Sequence, residues 1–143
     1  MPKRALKLTV RIPSFETGVL AWRKKIHEAI AKIQKRGKVR YGENDKLEVE
    51  VCLYLTNPQL TKLDLDNRAK TILDALQGFM LDKGKGGLPW IIPNDDQIYR
   101  LIIEKRLPPK ANLAALSKIE IRGYNHHVGT AKSKRDYRKH LAK

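Results

Sequence analysis

The chain has 143 residues, with 30 Lys/Arg against 15 Asp/Glu, a formal charge of +15 and a pI near 10.1. Its 41% apolar content is that of a globular domain with a real core, and no apolar run reaches the roughly 18 residues a bilayer span requires. A single cysteine, Cys52, excludes an internal disulfide, and the charge predicts a polyanionic partner: nucleic acid first, then ribosomal RNA or an anionic membrane surface.

The first segment, MPKRALKLTVRIP, alternates where a signal peptide would be continuously apolar, so a cytoplasmic protein is expected. Leu6, Leu8, Val10 and Ile12 alternate with Lys7, Thr9 and Arg11, predicting a half-buried strand ended by Pro13. Trp22, Ile26, Ala29, Ile30 and Ile33 recur at helical spacing, with Gly37 as the expected stop. The basic residues of this stretch, Arg23, Lys24, Lys25, Lys32, Lys35, Arg36, Lys38 and Arg40, are then expected on the solvent side, and His27 with them. Leu47, Val49, Val51, Leu53 and Leu55 form a second alternating strand, with Cys52 on its other face in a structural role.

A second helix follows, with Ala69, Ile72, Leu73, Leu76 and Met80 on one face and Gly78 near its end. Asp82–Pro89 has the composition of a flexible loop, and strands are predicted at about 97–106 and 118–123. The expected fold is α+β, a small mixed sheet with two main helices in the order β-α-β-α-β-β. Residues 1–124 read as the folded domain and 125–143 as a basic tail, with Lys132, Lys134, Arg135, Arg138, Lys139 and Lys143 against Asp136 alone.

In so basic a chain, clustered acids need a reason. Asp64 and Asp66 precede the second helix at i, i+2, so on extended backbone their carboxylates share a side. Two hard oxygen donors placed this way suit Mg²⁺ or Mn²⁺. The plainer reading is that Asp66 caps the helix. Lys70, one turn past Asp66, would hold a scissile phosphate or protonate a leaving oxygen. Otherwise it forms a surface ion pair with Asp66 or Asp74, worth about 0–1 kcal/mol. Asn94-Asp95-Asp96-Gln97 brings a second acidic pair to the start of the third strand, where adjacent carboxylates point to opposite faces and one at most joins the first pair. Its plainer reading is an Asx turn with solvated acids. Three acids from two segments, a lysine and a basic surface suit metal-dependent phosphodiester hydrolysis.

The run Asp64-Leu65-Asp66-Asn67-Arg68-Ala69-Lys70-Thr71-Ile72-Leu73-Asp74-Ala75-Leu76-Gln77-Gly78, followed by Asp95-Asp96-Gln97-Ile98, closely resembles the RusA family of Holliday-junction resolvases. The resemblance is specific over residues 60–105 and extends by element order from about 5 to 124. It implies a homodimeric, Mg²⁺-dependent endonuclease that nicks four-way DNA junctions symmetrically in recombination and repair. It also implies that Asp64, Asp66 and Asp96 bind metal, with Asp95 as a supporting acid and Lys70 as the catalytic lysine. A four-way junction is itself approximately two-fold, which suits a two-fold dimer. Arg23, Lys24, Lys35, Arg36, Lys38, Arg40 and Arg68, with the tail, are then the expected phosphate contacts.

The chain departs from the family in a longer stretch between Asp74 and Asp95, where Gly84, Gly86 and Gly87 mark an inserted loop. A proline-rich N-terminal loop is reduced to Ile12-Pro13-Ser14-Phe15, and the tail has no counterpart. His126, His127 and His140 are expected to be solvated or to touch DNA rather than bind metal. Trp22 is expected in the core, whereas Trp90 is open to stacking on bases. Two other readings compete: a non-catalytic nucleic-acid-binding protein of the same fold, and an RNA-binding ribosomal-type protein.

Overall fold

The computed structural model describes residues 6–14, 18–79, 87–108 and 116–125. Strand β1 is Leu8–Pro13, helix α1 Val19–Gly37, β2 Leu47–Tyr54, α2 Asn57–Lys62, α3 Leu65–Leu76, β3 Ile98–Arg106 and β4 Leu116–Gly123. A 3₁₀ turn, Asp95–Gln97, leads into β3. The class is α+β as expected, but the described residues hold three helices: α2 is six residues long, contains Pro58, and is too short to show a period. The 125–143 tail beyond residue 125, with His126, His127 and His140, lies outside the described residues, as do Met80 and Asp82.

The sheet runs β1-β4-β2-β3, with β1/β4 and β4/β2 antiparallel and β2/β3 parallel. Parallel neighbours need a crossover, and α2 and α3 supply it. Leu8, Val10 and Ile12, with Val49, Val51, Leu53, Ile119 and Ile121, form the buried face, onto which α1 and α3 place Trp22, Ile26, Ile30, Ile72 and Leu76. Trp22 is fully buried and its indole N–H donates to the Pro13 carbonyl at 2.8 Å, so the strand end is tied to α1.

Two basic side chains of α1 are not where the spacing put them. Arg23 is 8% exposed, with Nη2 3.0 Å from Asp74 Oδ2, so it clamps α1 to α3 instead of facing solvent. His27 is also buried, its Nε2 2.7 Å from the Pro89 carbonyl oxygen. Helix α1 ends one residue later than expected. The left-handed position falls on Lys38, with φ 56°, and not on Gly37.

The polar face of the sheet holds a charge network that single-strand patterns do not reveal. Register places Glu48 beside Arg122 and Arg100. Arg122 Nε donates to Glu48 at 2.6 Å, and its Nη1 donates to Glu120 at 3.0 Å and Glu50 at 3.3 Å. These bonds, Glu48's foremost, raise the Arg122 pKa further above its ordinary value.

Tyr41 is 2% exposed and donates its hydroxyl to the Leu6 carbonyl at 2.8 Å. Burial, reinforced by nearby Asp45, pushes its pKa well above 10. The unfolded chain therefore ionises this phenol first, and its contribution to stability is intact below about pH 10 and is lost as pH rises beyond that. Stability measured by urea titration should fall above pH 10, and Tyr41→Phe should flatten that fall.

Candidate active site

Asp64 is the N-cap of α3, and the backbone there turns from extended to helical. Its Oδ1 accepts from the Asp66 N–H at 3.0 Å and its Oδ2 from Asn67 Nδ2 at 3.3 Å. The cap is thus Asp64, not Asp66, and the two acids do not share an extended strand. Asp66 occupies the first helical turn, exposed, and its carboxylate has no partner among the described residues. Lys70 follows one turn on, exposed and likewise unpaired among those residues. Asp66 and Lys70 therefore face solvent side by side, ready for something outside the chain.

This cluster sits at the carboxyl ends of the two parallel strands, where open α/β sheets place their ligands. Lys105, near the end of β3, fixes it there. Its Nζ donates to the carbonyls of Leu60 at 2.5 Å and Leu63 at 2.9 Å, just ahead of Asp64. Arg68 lies inward: its guanidinium is 5.4 Å from the Trp22 ring centre, and partial burial lowers its pKa. That stacking makes Arg68 a link between α1 and α3 more than an open phosphate contact.

The second acidic pair is not at a strand start but in the 3₁₀ turn. Asn94 caps it, accepting from the Asp96 N–H at 3.0 Å, while Gln97 Oε1 accepts from the Asn94 N–H at 3.1 Å. Gln97 is buried and its amide donates to the Gly42 and Asp45 carbonyls, at 2.5 and 2.9 Å. Asp95 and Asp96 are left exposed without side-chain partners among the described residues, Asp96 on a groove of 450 Å³ shared with Asp45 and Tyr99. An Asx-type turn is present, as the plainer reading held, but Asn94 makes it and the acids are free of it.

The two pairs do not meet. The Ile91 and Ile92 N–H groups donate to Leu76 O at the C-terminal end of α3, at 2.8 and 3.0 Å, and the 3₁₀ turn follows directly. Twelve helical residues, about 18 Å, separate this end from Asp64. Among the described residues, no group of three or more His, Cys, Asp or Glu side chains is placed to hold a metal ion. The described carboxylates of a single chain do not by themselves form a three-carboxylate metal site.

The exposed Lys35, Lys38 and Arg40 line a groove of 720 Å³ with Tyr41 and Trp90, at the C-terminal end of α1. Trp90 is 53% exposed, although its neighbours are pinned: Pro89 O by His27 and Ile91 N by Leu76 O. Lys24 and Arg36 are exposed on α1 itself. Of the candidate phosphate contacts, the fold buries Arg23 against Asp74 and turns Arg68 inward onto Trp22.

A basic α+β domain with solvent-facing acids and a lysine at the mouth of a parallel strand pair has the parts of a phosphodiester-cleaving nuclease. The family model for endodeoxyribonuclease RusA matches residues 14–122, most of the chain, and the chain belongs to that family. It is accordingly an endodeoxyribonuclease of the Holliday-junction-resolving kind. No curated protein matches it.

Proposed function

We propose that the protein resolves four-way DNA junctions by paired symmetric nicks, with Mg²⁺ or Mn²⁺ as cofactor and with Asp64, Asp66 and Asp96 as the essential carboxylates. Asp95 is the supporting acid, and Lys70 holds the scissile phosphate. The observation that carries this reading is the solvent-facing Asp66–Lys70 pair at the carboxyl end of the parallel strands, whose side chains make no hydrogen bond or ion pair among the described residues. Phosphates are neutralised by Lys35, Lys38 and Arg40 in the groove at the C-terminal end of α1, where Trp90 offers a face for an unpaired base. The folded domain, residues 1–124, carries these parts; the tail adds charge. Recombination and repair in the cytoplasm are the setting this substrate implies.

A synthetic four-way junction is the test. Symmetric nicks should appear with Mg²⁺ or Mn²⁺ and vanish with a chelator. Binding without cutting under several divalent metals would overturn the enzyme reading. It would favour a non-catalytic junction-binding protein, for which the capping bonds of Asp64 are the supporting observation.

Lys38 gives a separate check on the basic groove. A left-handed non-glycine residue costs about 1–2 kcal/mol, and glycine is the usual occupant. Lys38→Gly should raise the melting temperature by a few degrees while weakening junction binding. The slope of log K against log salt should shrink by about one unit, as expected for one lost phosphate contact.

A further inference from the structure

Trp90 is half exposed on a segment whose backbone is held on both sides. Before it, Leu88 N donates to Gly78 O at 2.8 Å, and the Pro89 carbonyl oxygen lies 2.7 Å from His27 Nε2. After it, the Ile91 and Ile92 N–H groups donate to Leu76 O, and both isoleucine side chains are buried. An indole on a free loop would fold back onto apolar neighbours; this one is carried facing water. The backbone beneath the ring is thus pre-organised, and a ligand that stacks there does not have to order it.

The same groove is lined by Lys35, Lys38 and Arg40, all exposed, and by buried Val39 and Tyr41. The end of α1 would by itself repel an anion, since a helix C-terminus carries roughly half a negative charge. The three cations reverse that sign. Lys38 sits at φ 56°, where glycine is the relaxed occupant, so a cation is kept in this groove at the expense of backbone strain. At 720 Å³ the groove falls within the roughly 300–1,000 Å³ of sites that take a small organic group.

An aromatic face beside cations fits a flat base with phosphates on either side. Along its length a double helix keeps its bases stacked on one another, so it offers the cations phosphates and the indole nothing. Only an unpaired nucleotide engages both. We propose that this groove is a single-strand subsite: Trp90 stacks on one unpaired base, and Lys35, Lys38 and Arg40 hold the flanking phosphates. The protein thereby selects branched DNA with unpaired nucleotides at the branch over branches that are paired throughout. This deepens the reading above by naming the form of DNA, and rests on it only for DNA as the partner. Trp90 also precedes Asp95 by five residues, so the subsite and the second acidic pair belong to one anchored segment.

Binding is tested without metal, in a chelator, so that it stands apart from cleavage. The chain has two tryptophans and Trp22 is fully buried, so quenching by a stacked base reports Trp90. A short oligothymidylate should quench the emission, and an abasic strand of equal length should not quench it and should bind about tenfold more weakly. Trp90→Ala should weaken oligothymidylate binding by about tenfold and duplex binding little, whereas Trp90→Phe should recover most of the loss. An abasic strand that binds and quenches like oligothymidylate overturns the proposal, and so does Trp90→Ala weakening duplex and single strand alike. An acidic peptide of equal charge that binds as tightly, with Trp90 quenched, would make the groove a peptide site and overturn it too.

Cleavage tests the selection. In Mg²⁺, wild type should cut a junction with two unpaired thymidines at the branch with higher kcat/KM than its fully paired counterpart, and Trp90→Ala should lose that preference while still cutting both. Equal cleavage of the two junctions by wild type would overturn the selection and leave the cleavage proposal standing. Wild type that binds and is quenched by oligothymidylate but cuts neither junction would defeat the cleavage proposal and leave the subsite.

Discussion

Asp64→Asn and Asp66→Asn should each cost at least about 10³-fold in junction cleavage while leaving the fold in place. The reasoning separates chemistry from capping. Asparagine is as good an N-cap as aspartate, so Asp64→Asn retains the bond to the Asp66 N–H and with it the start of α3. Asp66 has no side-chain partner among the described residues, so its amide loses only the helix-dipole interaction, about 0.3–1 kcal/mol. Melting temperatures should therefore move by a few degrees at most. A carboxylate engaged in phosphodiester hydrolysis contributes several kcal/mol to the transition state, and each 1.36 kcal/mol is tenfold in rate. Junction binding should hold or tighten, since a negative charge near the phosphates is gone. Full cleavage by Asp64→Asn would show that the residue is a cap and nothing more.

The strands and long helices are legible in the sequence because their buried faces repeat at a fixed spacing. Leu8, Val10 and Ile12, or Val49, Val51 and Leu53, need no partner to announce themselves. Arg23 is different: burial of a guanidinium is tolerable only because Asp74, far away in sequence, meets it. A weak sign was present, since Arg23, His27 and Ile30 follow each other at i, i+4, i+7 along the edge of the apolar stripe. The 3₁₀ turn was also readable. Asn94 with Gln97 three residues later is a capping-box pattern, and it argues for a helical start where the β-rich residues downstream suggest a strand. The network of Glu48, Arg100 and Arg122 depends on register, which no single strand encodes.

The residues of the candidate site were likewise legible, but not their distribution. Motif spacing brings Asp64, Asp66 and Lys70 together because they are local to one helix start. It says nothing of where Asp96 lies, because that depends on the direction of α3 between parallel strands. A helix that returns the chain from the end of β2 to the start of β3 necessarily carries its two flanking segments to opposite ends. The same topology that positions each pair separates them.

Gly78→Ala should be the most damaging glycine-to-alanine change among the described residues, lowering the melting temperature by roughly 10 °C or more. Gly78 ends the turn after α3 with φ +78°, where an L side chain costs about 1–2 kcal/mol. A Cβ there would lie 2.2 Å from the Leu88 carbonyl oxygen, a backbone atom that cannot rotate away. The strap of residues 87–92 that crosses the end of α3 must then withdraw, straining the bond from Leu88 N to Gly78 O at 2.8 Å and those from Ile91 and Ile92 to Leu76 O. With lost bonds at about 1 kcal/mol each, the total reaches about 4–5 kcal/mol, and each kcal/mol is worth about 4 °C in a domain of this size. Gly37→Ala is the control: its Cβ meets only Val39 Cγ2 at 3.7 Å, and alanine in a helix should be neutral or stabilising. The effect of Gly78→Ala should not stop at stability. Ile91 and Ile92 are buried at the root of the segment that carries Asp95 and Asp96, so moving the strap displaces those acids while Asp64 and Asp66 stay put. Below its lowered melting temperature the variant should still bind a junction through its cations, yet cleave it far more slowly. Cleavage at the wild-type rate by folded Gly78→Ala would show that the position of the second acidic pair does not matter to the reaction.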